Sequence, residues 1–407
     1  MFIPRFIQIH TLTPYVGVLL NRDDNNLAKR LCKDGLEFTR VSSQCLRYNL
    51  RKADCEYSIS SVAETSIRSR ETFVREMAKP LIAEGFDTKL VVTALRCIQD
   101  TLCGVSAKEQ ARRIKAEAKR IKAGGQELSG EELLATLKQN QIVVLGRPEV
   151  VFITGLARDI LVQGGDEMEV ATKASEAMAS QRDNMRAMWN NAGLDVAMFG
   201  RMSTGDPKAR VDAAIHVAHA FTVHPQASES DFFTAVDDLL SGEGESGAGH
   251  LGETEINSGL YYGYVVVDVP GLVSNIEGCS RAAWLDANRE TAATLVSNLI
   301  HLITTVTPGA KKGSTAPYSS ADLLMVEIGS KMPRSLAAAF DGRVAPGGEA
   351  AAAALARYLS RKDAMHGADT RRLYASIFDA DMPGVESCPV PEIAELVAAS
   401  IRAGISP

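Results

Sequence analysis

The sequence predicts an α+β fold in which a core of strands and helices carries a helical insertion and a long polar arm. Strand-like segments with alternating or continuous apolar residues occur near the N-terminus and again in the middle of the chain. A long region with the periodicity of amphipathic helices lies between them, and a glycine-rich polar segment separates two of the later strands. The sequence therefore predicts a core of strands and helices that is interrupted by a helical insertion and by a polar arm.

The chain is predicted to begin with a β-loop-α unit. The first strand is expected over Phe6–Leu12, and the polar loop GVLLNRDDNN follows after a short interval. A helix is expected to begin near Ser43, because serine caps helices and Leu46, Leu50 and Ala53 have the spacing of a buried stripe.

Residues 60–191 are predicted to form a helical insertion, with long helical patterns such as SIRSRETFVREMAKPLIAEGF and SAKEQARRIKAEAKRIKAGG. The second pattern ends at Gly124–Gly125, and a capping box of Ser129 and Glu132 predicts the next helix start. The basic run from Lys108 to Lys122 is typical of the solvated face of a helix, with a nucleic-acid contact as the alternative.

Three strands are predicted after the insertion, at residues 194–204, 210–224 and 258–269. The arm, residues 225–257, separates the last two and is too long for a hairpin turn; segments of this size are usually functional arms or disordered. Its motif DFFTAVDDLL has apolar residues at helical spacing, which by itself favours a buried helical turn.

The remaining elements complete the predicted order. A helix is expected over residues 280–306, ending before Pro308–Gly309, and a strand over residues 322–329. The alanine-rich residues 346–407 are expected to form C-terminal helices without a chemical signature. With the insertion and the arm removed, the order is close to β-α-β-β-α-β plus one strand, which is that of ferredoxin-like and RNA-recognition-motif folds.

Composition narrows the possible functions. The chain has 407 residues, 45% hydrophobic composition and a formal charge of −6, which indicates a soluble globular protein whose polyanion site, if it has one, is a local patch. Seven cysteines without a C-x-x-C pair indicate reduced thiols. The sequence has no signal-peptide core and no apolar run of the length that spans a membrane, so we expect a cytoplasmic protein without a membrane partner.

Two motifs suggest chemistry but lack the context that it requires. Gly242, Gly244 and Gly247 match the dinucleotide fingerprint, but acidic residues between them would face the pyrophosphate. His216 and His219 lie three apart in a predicted strand and point to opposite faces, so they cannot share a metal ion, and we interpret them as structural or surface histidines. We predict no catalytic residue, no metal site and no cofactor.

The most basic segment lies between residues 22 and 52, where eight Lys and Arg face four Asp and Glu. On the predicted helix, Gln44, Arg47 and Arg51 share one face, and like charges four residues apart repel unless an anion lies between them. A helix start with free N–H groups also attracts anions. The segment therefore predicts a phosphate site, with a merely solvated surface as the alternative.

Eight sequence blocks, in order, resemble the CasC (Cse4) family, the repeated backbone subunit of the type I-E CRISPR Cascade complex. The blocks are FIQIHTLTPY, NRDD, RVSSQCLR, GRMST, HAFTVH, DFFTAVDDL, AGHLGETEINSGLYY and PGAKKGSTAPY. They extend from the first strand to about Phe340, whereas the insertion and the C-terminus match only in character. The resemblance implies a non-catalytic protein whose copies stack as a helical filament along a CRISPR RNA, with target DNA and other Cascade subunits as further partners.

The resemblance also implies an RNA-recognition-motif-like palm, helical fingers and a protruding thumb. The corresponding boundaries are residues 1–59, 192–224 and 258–345 for the palm, 60–191 for the fingers, 225–257 for the thumb and 346–407 for a C-terminal helical segment. The sheet lacks the aromatic consensus by which ordinary RNA-recognition motifs stack bases, so RNA must bind elsewhere than on the sheet face.

Site residues follow from the same resemblance. It places part of the basic segment along the RNA backbone, a methionine against a base, an aromatic pair on the thumb and a basic loop near the RNA. These residues are Arg22, Lys29, Ser42, Ser43, Gln44, Arg47 and Arg51; Met202; Phe232, Phe233 and Thr234; and Lys311 and Lys312. The sequence departs from the family at Tyr48, where a basic residue is expected, and in its longer insertion.

A rival hypothesis is a metal-dependent endoribonuclease related to the backbone subunits of type III effectors, with Asp23 and Asp24 as its acids. Adjacent acids in NRDDNN are more often turn formers, and the type I-E blocks count against cleavage. A second rival is a structural protein whose basic segment is only solvated.

Overall fold

The computed structural model describes residues 3–33, 35–105, 109, 112, 116, 128–181, 184, 192–202, 210–236, 248–341, 344–368 and 370–403. The chain divides into two compact units. The first comprises Met1–Val62, Ile215–Pro270 and Asn288–Pro407, and the second comprises Ala63–Ala214 and Gly271–Ala287.

The strands and helices are interspersed along the chain. The strands are β1 (Phe6–Val18), β2 (Arg30–Lys33), β3 (Leu36–Val41), β4 (Ile67–Ser69), β5 (Val143–Leu145), β6 (Ile215–Val217), β7 (Ala220–Thr222), β8 (Ala227–Val236), β9 (Ala248–Asp268), β10 (Leu323–Gly329), β11 (Arg371–Ser376) and β12 (Val385–Ser387). The helices are α1 (Ser43–Lys52), α2 (Ile59–Val62), α3 (Lys79–Ala83), α4 (Thr88–Leu102), α5 (Gly130–Ala135), α6 (Arg147–Val162), α7 (Glu167–Ser180), α8 (Leu194–Phe199), α9 (Val269–Glu277), α10 (Glu290–Thr305), α11 (Lys312–Thr315), α12 (Gly348–His366) and α13 (Val390–Ala403). A π-helical turn (Phe73–Ala78) and 3-10 turns (Arg281–Ala283 and Ala337–Phe340) also occur.

The first unit is built on one large mixed sheet. Among the described residues it has ten strands, in the order β12-β11-β10-β1-β9-β7-β3-β2, with β6 and β8 also paired to β9. β1 is antiparallel to both of its neighbours, so that Ile9 lies between Val265 and Val326. The four strands of the predicted β-α-β-β-α-β order, β1, β7, β9 and β10, are adjacent in this sheet. The predicted α+β class is confirmed.

Helices cover both faces of the central strands. On one face, Leu12, Tyr262 and Met325 pack with Phe340 of a 3-10 turn and Leu355 of α12. On the other, α10 and α13 lie against β1, β10 and β11, and α1 packs on α10 and β6. Since both faces are covered, helix ends, loops and the ribbon of β8 and β9 are the parts of this unit left to bind a large ligand.

The second unit has a helical core, as predicted for the insertion. Leu95, Ile98, Ile153 and Val170 of α4, α6 and α7 are buried together. The predicted capping box at the start of α5 is present, with the Ser129 N–H donating to Glu132 Oε2 at 2.8 Å and the Glu132 N–H donating to Ser129 Oγ at 3.3 Å. The predicted helix over residues 66–86 begins instead with β4, which pairs with β5. Most of the run from Lys108 to Lys122 lies outside the described residues.

The strand predicted at residues 194–204 is wrong, because Leu194–Phe199 forms the buried helix α8. Glycines in the left-handed region bracket it, Gly193 with φ 117° and Gly200 with φ 76°. The Asp195 carboxylate accepts hydrogen bonds from the backbone N–H and the hydroxyl of Ser66 at 2.6 and 2.7 Å. A six-residue apolar run does not distinguish strand from helix, and tertiary hydrogen bonds decide here.

The C-terminal prediction of helices alone is also wrong. α12 and α13 are present, but β11 and β12 lie between them and extend the sheet beyond β10. The segment RRLYAS does not show a strand pattern because its second arginine, Arg372, is buried and forms ion pairs with Glu327 and Asp363. Its charge therefore conceals an inward-facing position.

Residues 19–42 and the arm contain hairpins that the sequence analysis did not predict. β2 and β3 pair across a turn in which Gly35 has φ 74°. β8 pairs with the N-terminal half of β9 from Ala227 opposite Ser258 to Val236 opposite Ala248. The described part of the arm is therefore a two-stranded ribbon rather than a loop, and the strand predicted at residues 258–269 starts ten residues earlier.

No helix among the described residues has the length and apolar character needed to cross a bilayer.

Candidate nucleic-acid interface

The N-terminus of α1 is held by Ser42, its N-cap residue. The Ser42 Oγ accepts a hydrogen bond from the Cys45 N–H at 3.3 Å, and the Ser42 N–H donates to Asn21 Oδ1 at 3.0 Å. Ser42 is only 5% exposed. It therefore positions the helix start, whereas Ser43 and Gln44 present the first turn to solvent.

The outer face of α1 carries the predicted cations. Gln44 is exposed, Arg47 and Arg51 are half-buried, and Leu50 is the buried residue of the helix. The Arg51 guanidinium carbon lies 5.8 Å from the centre of the Tyr48 ring, which is 57% exposed. At position 48, where the family pattern predicts a basic residue, Arg51 thus has an aromatic neighbour. The geometry of the two side chains is typical of a cation–π contact.

The loop between β1 and β2 brings Lys29 beside the start of α1. The Lys29 N–H donates to the Asn21 carbonyl at 2.9 Å, and its carbonyl accepts from the Arg40 N–H at 2.8 Å. Glu255 of β9 anchors this loop, because its carboxylate accepts from the Ala28 N–H at 2.7 Å and from Arg30 Nη2 at 3.2 Å. Arg22, on the same loop, is exposed and forms a backbone bridge with Ala28.

Two residues that the sequence analysis did not select complete this basic cluster. His219 Nδ1 accepts from the Ser43 N–H at 3.2 Å, and Arg40 Nη1 lies 3.2 Å from the same nitrogen. Burial and the charges of Arg40, Lys29 and Arg47 lower the pKa of His219. The block HAFTVH contained His219, but only the fold brings it to α1. We use the name α1 cluster for Lys29, Arg40, Ser43, Arg47 and His219.

The two predicted lysines after α10 differ in their surroundings. Lys311 Nζ donates to Thr254 Oγ1 and lies 5.4 Å from the centre of the Phe233 ring. It therefore supports the ribbon of β8 and β9. Lys312 is exposed. The loop that carries both is tied to the end of β1, because the Ala310 N–H donates to the Leu19 carbonyl at 2.9 Å.

The two phenylalanines of the ribbon lie on opposite faces, as successive strand residues do. Phe232 is 66% exposed and Phe233 is 40% exposed. The Phe233 ring covers its cross-strand partner Gly252, where a Cβ atom would meet the ring at 2.3 Å. Thr234 follows opposite Leu251, and its side chain lies outside the described part of the structure.

Met202, the predicted base contact, belongs to the second unit. It directly follows Arg201, which bridges to Val211, and its side chain is 87% exposed.

The acids of the rival hypothesis act locally. Asp23 Oδ1 accepts from the N–H groups of Asn25 and Leu27 at 2.8 and 3.0 Å, and Asn26 occupies the left-handed region with φ 63°. Asp23 therefore stabilises a turn, which agrees with the interpretation of the acids in NRDDNN as turn formers. Within the described residues, no three His, Cys, Asp or Glu side chains are grouped to hold a metal ion.

Comparisons with solved structures show that the fold is similar to that of chains from CRISPR RNA-guided surveillance complexes. A chain of a "CRISPR RNA-guided surveillance complex, pre-nicking" superposes with a TM-score of 0.72 at 24% identity, over 97% of this chain and 100% of that chain. A second, of a "CRISPR RNA-guided surveillance complex", superposes with a TM-score of 0.66 at 22% identity, over 97% and 99%. The search of curated proteins found no match.

The chain belongs to the CT1975-like protein family, whose model matches residues 7–399. This family comprises the Cas7-type (CasC) backbone subunits of type I-E Cascade, so the resemblance found in the sequence is confirmed. Backbone subunits of this family are non-catalytic.

Proposed function

We propose that the chain polymerises along a CRISPR RNA and holds its phosphate backbone at the α1 cluster and the adjoining residues of α1. The observation that carries this proposal is the convergence of Lys29, Arg40 and Arg47 around His219, which contacts the first turn of the capped helix α1, in a protein whose net charge is −6. The start of a helix carries the positive end of the helix dipole, and arginine binds phosphate through paired donors.

Binding to the backbone suits a guide scaffold. The protein must accept any guide sequence, so specificity comes from pairing between the guide and target DNA, as in other RNA-guided systems. The covered sheet supports RNA binding away from the sheet faces, because α12 lies on one face of the central strands and α10 on the other. We assign residues 1–59, 192–224 and 258–345 to a palm, residues 60–191 to fingers and residues 225–257 to a thumb, in a cytoplasmic assembly with further copies of the chain and other Cascade subunits.

The first test is whether the protein carries RNA. When the full chain is expressed with the other Cascade subunits in cells with a repeat array, the purified complex should absorb more strongly at 260 nm than at 280 nm. Extraction should then release RNA of uniform length that hybridises to the array. Cells without the array are the control, and a protein-like absorbance ratio with no extractable RNA in both preparations would contradict the proposal.

A second prediction concerns the thumb. We propose that Phe233 stacks on a base, with Met202 as a further base contact and Phe232 exposed on the other ribbon face. Replacing Phe233 with alanine should weaken RNA binding by roughly 1–3 kcal/mol per base contacted, because aromatic stacking has this magnitude. The melting temperature should change little, since the ring is partly exposed and packs on a two-stranded ribbon. Binding and thermal unfolding are measured on the same preparation.

The control is Ser228→Ala, on the exposed start of the same strand. If Phe233→Ala instead lowers the melting temperature strongly while RNA binding per folded molecule is unchanged, Phe233 serves to cover Gly252 and the thumb assignment of this residue is wrong.

A further inference from the structure

His219 is held with one ring nitrogen directed at two hydrogen-bond donors. The Ser43 N–H and Arg40 Nη1 both lie 3.2 Å from Nδ1. A backbone N–H and a guanidinium can only donate, so Nδ1 must carry a lone pair and accept. The imidazole is therefore neutral and carries its proton on Nε2.

The charges around the ring keep it in this form. Lys29 and Arg47 act on the ring together with Arg40, and burial acts in the same direction, so the pKa of His219 is lowered. Protonation of Nδ1 would also place an N–H against two other donors. His219 is thus a neutral donor inside a cluster of cations, in contrast to the lysine and the arginines beside it.

Nε2 is the ring nitrogen left for a ligand, because Nδ1 already has two partners. His219 is exposed, and Nε2 lies across the ring from Ser43 and Arg40. The structure records no partner for Nε2 among the described residues. The Nε2–H therefore belongs to an exposed ring that contacts the first turn of α1 and Arg40, where an anion would be attracted.

We propose that His219 is an RNA-phosphate ligand with a structural role and a binding role. Its Nδ1 holds Arg40 and the first turn of α1 in place, and its Nε2–H donates a hydrogen bond to a phosphate oxygen. This inference rests on the proposed function, because it assigns a further ligand to the same site. The neutral charge distinguishes His219 from Lys29, Arg40 and Arg47, since a neutral donor adds affinity for RNA without displacing a counterion.

Substitution of His219 with asparagine or glutamine separates the structural role of Nδ1 from the binding role of Nε2. In His219→Asn the amide oxygen can replace Nδ1 as the acceptor while the outward donor is lost. In His219→Gln the longer side chain can place a donor near the position of Nε2. We expect the affinity for an oligouridylate to fall about tenfold in His219→Asn and less in His219→Gln, because a charge-assisted hydrogen bond is lost only in the first.

The salt dependence gives a readout that a structural role would not produce. The slope of log affinity against log salt should stay unchanged in His219→Asn, whereas Arg47→Ala should reduce it by about 0.7. His216→Asn, an exposed histidine three residues earlier, is the matched control and should bind normally. An unchanged affinity in His219→Asn would overturn the inference, and a reduced slope would show a charged imidazolium instead.

Wild-type protein provides a test that no folding defect can obscure. The nitrogen NMR shifts of His219 should show the Nε2–H tautomer before RNA is added, and the Nε2 signal should move on titration with oligouridylate. A protonated ring, or an Nε2 signal that does not move, would overturn the inference. If Arg47→Ala weakens binding and His219→Asn does not, only this inference fails; if neither does, the proposed α1 site fails with it.

Discussion

Replacing Arg47 and Arg51 together with alanine is expected to weaken RNA binding about a hundredfold at low salt. Each arginine is partly exposed on α1, and a hydrogen bond to a charged group contributes about 1.5–3 kcal/mol, so two lost contacts account for this factor. The slope of log affinity against log salt should fall by about 1.4, because single-stranded binding loses about 0.7 per phosphate contact. Fluorescence titration with an oligouridylate over a series of salt concentrations measures both quantities.

The free energy of unfolding should hardly change in this double variant, since Leu50 rather than either arginine is the buried residue of α1. The chain offers a matched control in Arg357→Ala with Arg361→Ala. These arginines are exposed and four residues apart on α12, which covers the other face of the sheet. An unchanged slope in the α1 variant, or an equal loss in the α12 variant, would remove α1 from the RNA site.

Arg372→Ala is expected to lower the free energy of unfolding by about 3–5 kcal/mol, a larger loss than in any of the RNA-site variants. The Arg372 side chain is 1% exposed, and its guanidinium lies 3.0 Å from Glu327 Oε1 and 2.7 Å from Asp363 Oδ2. Removing it leaves the fully buried Glu327 carboxylate without the guanidinium that lies 3.0 Å from it. It also loosens β11 and α12 from β10. Denaturant unfolding monitored by circular dichroism measures the change.

The neighbouring Arg371 is the control. Its ion pair with Glu386 is exposed, so Arg371→Ala should cost at most about 1 kcal/mol. The buried network also has a pH signature. Burial alone would raise the pKa of Glu327, but His10 and Arg372 outweigh it and hold the pKa at about 2. A lowered carboxyl pKa means that this stabilisation is present above about pH 4.5 and is lost as the pH falls toward 2. Equal losses in the two arginine variants would contradict the burial argument.

Local patterns predicted the elements whose reasons are local. The capping box at Ser129, the N-cap of α1 and the apolar run of β10 depend on residues a few positions apart, and the structure contains all three. Predictions failed where distant residues decide. Leu194–Phe199 was predicted as a strand, but Asp195 forms hydrogen bonds with Ser66 in a buried helix. The segment of Arg372 was predicted as part of C-terminal helices, but Arg372 pairs with Glu327 from a strand.

The candidate site divides in the same way. The face of Gln44, Arg47 and Arg51 follows from helical spacing alone, so the sequence could present it as a phosphate site. The roles of Lys311 and His219 could not be predicted. The sequence analysis places Lys311 in a basic loop near the RNA, and only the fold shows that it contacts Thr254 and lies over Phe233.

The sequence by itself determined the family, the α+β class, the cap and cationic face of α1 and the existence of a polar arm, because motifs, spacing and composition are properties of neighbouring residues. Only the tertiary structure decided which sheet faces are covered, that the arm is a ribbon, and that His219 meets Ser43 across 176 positions of chain. The physical reason is the length scale. Capping and amphipathic spacing act within a few residues, whereas sheet pairing, burial of Arg372 and the tautomer of His219 depend on partners that the folded chain brings together.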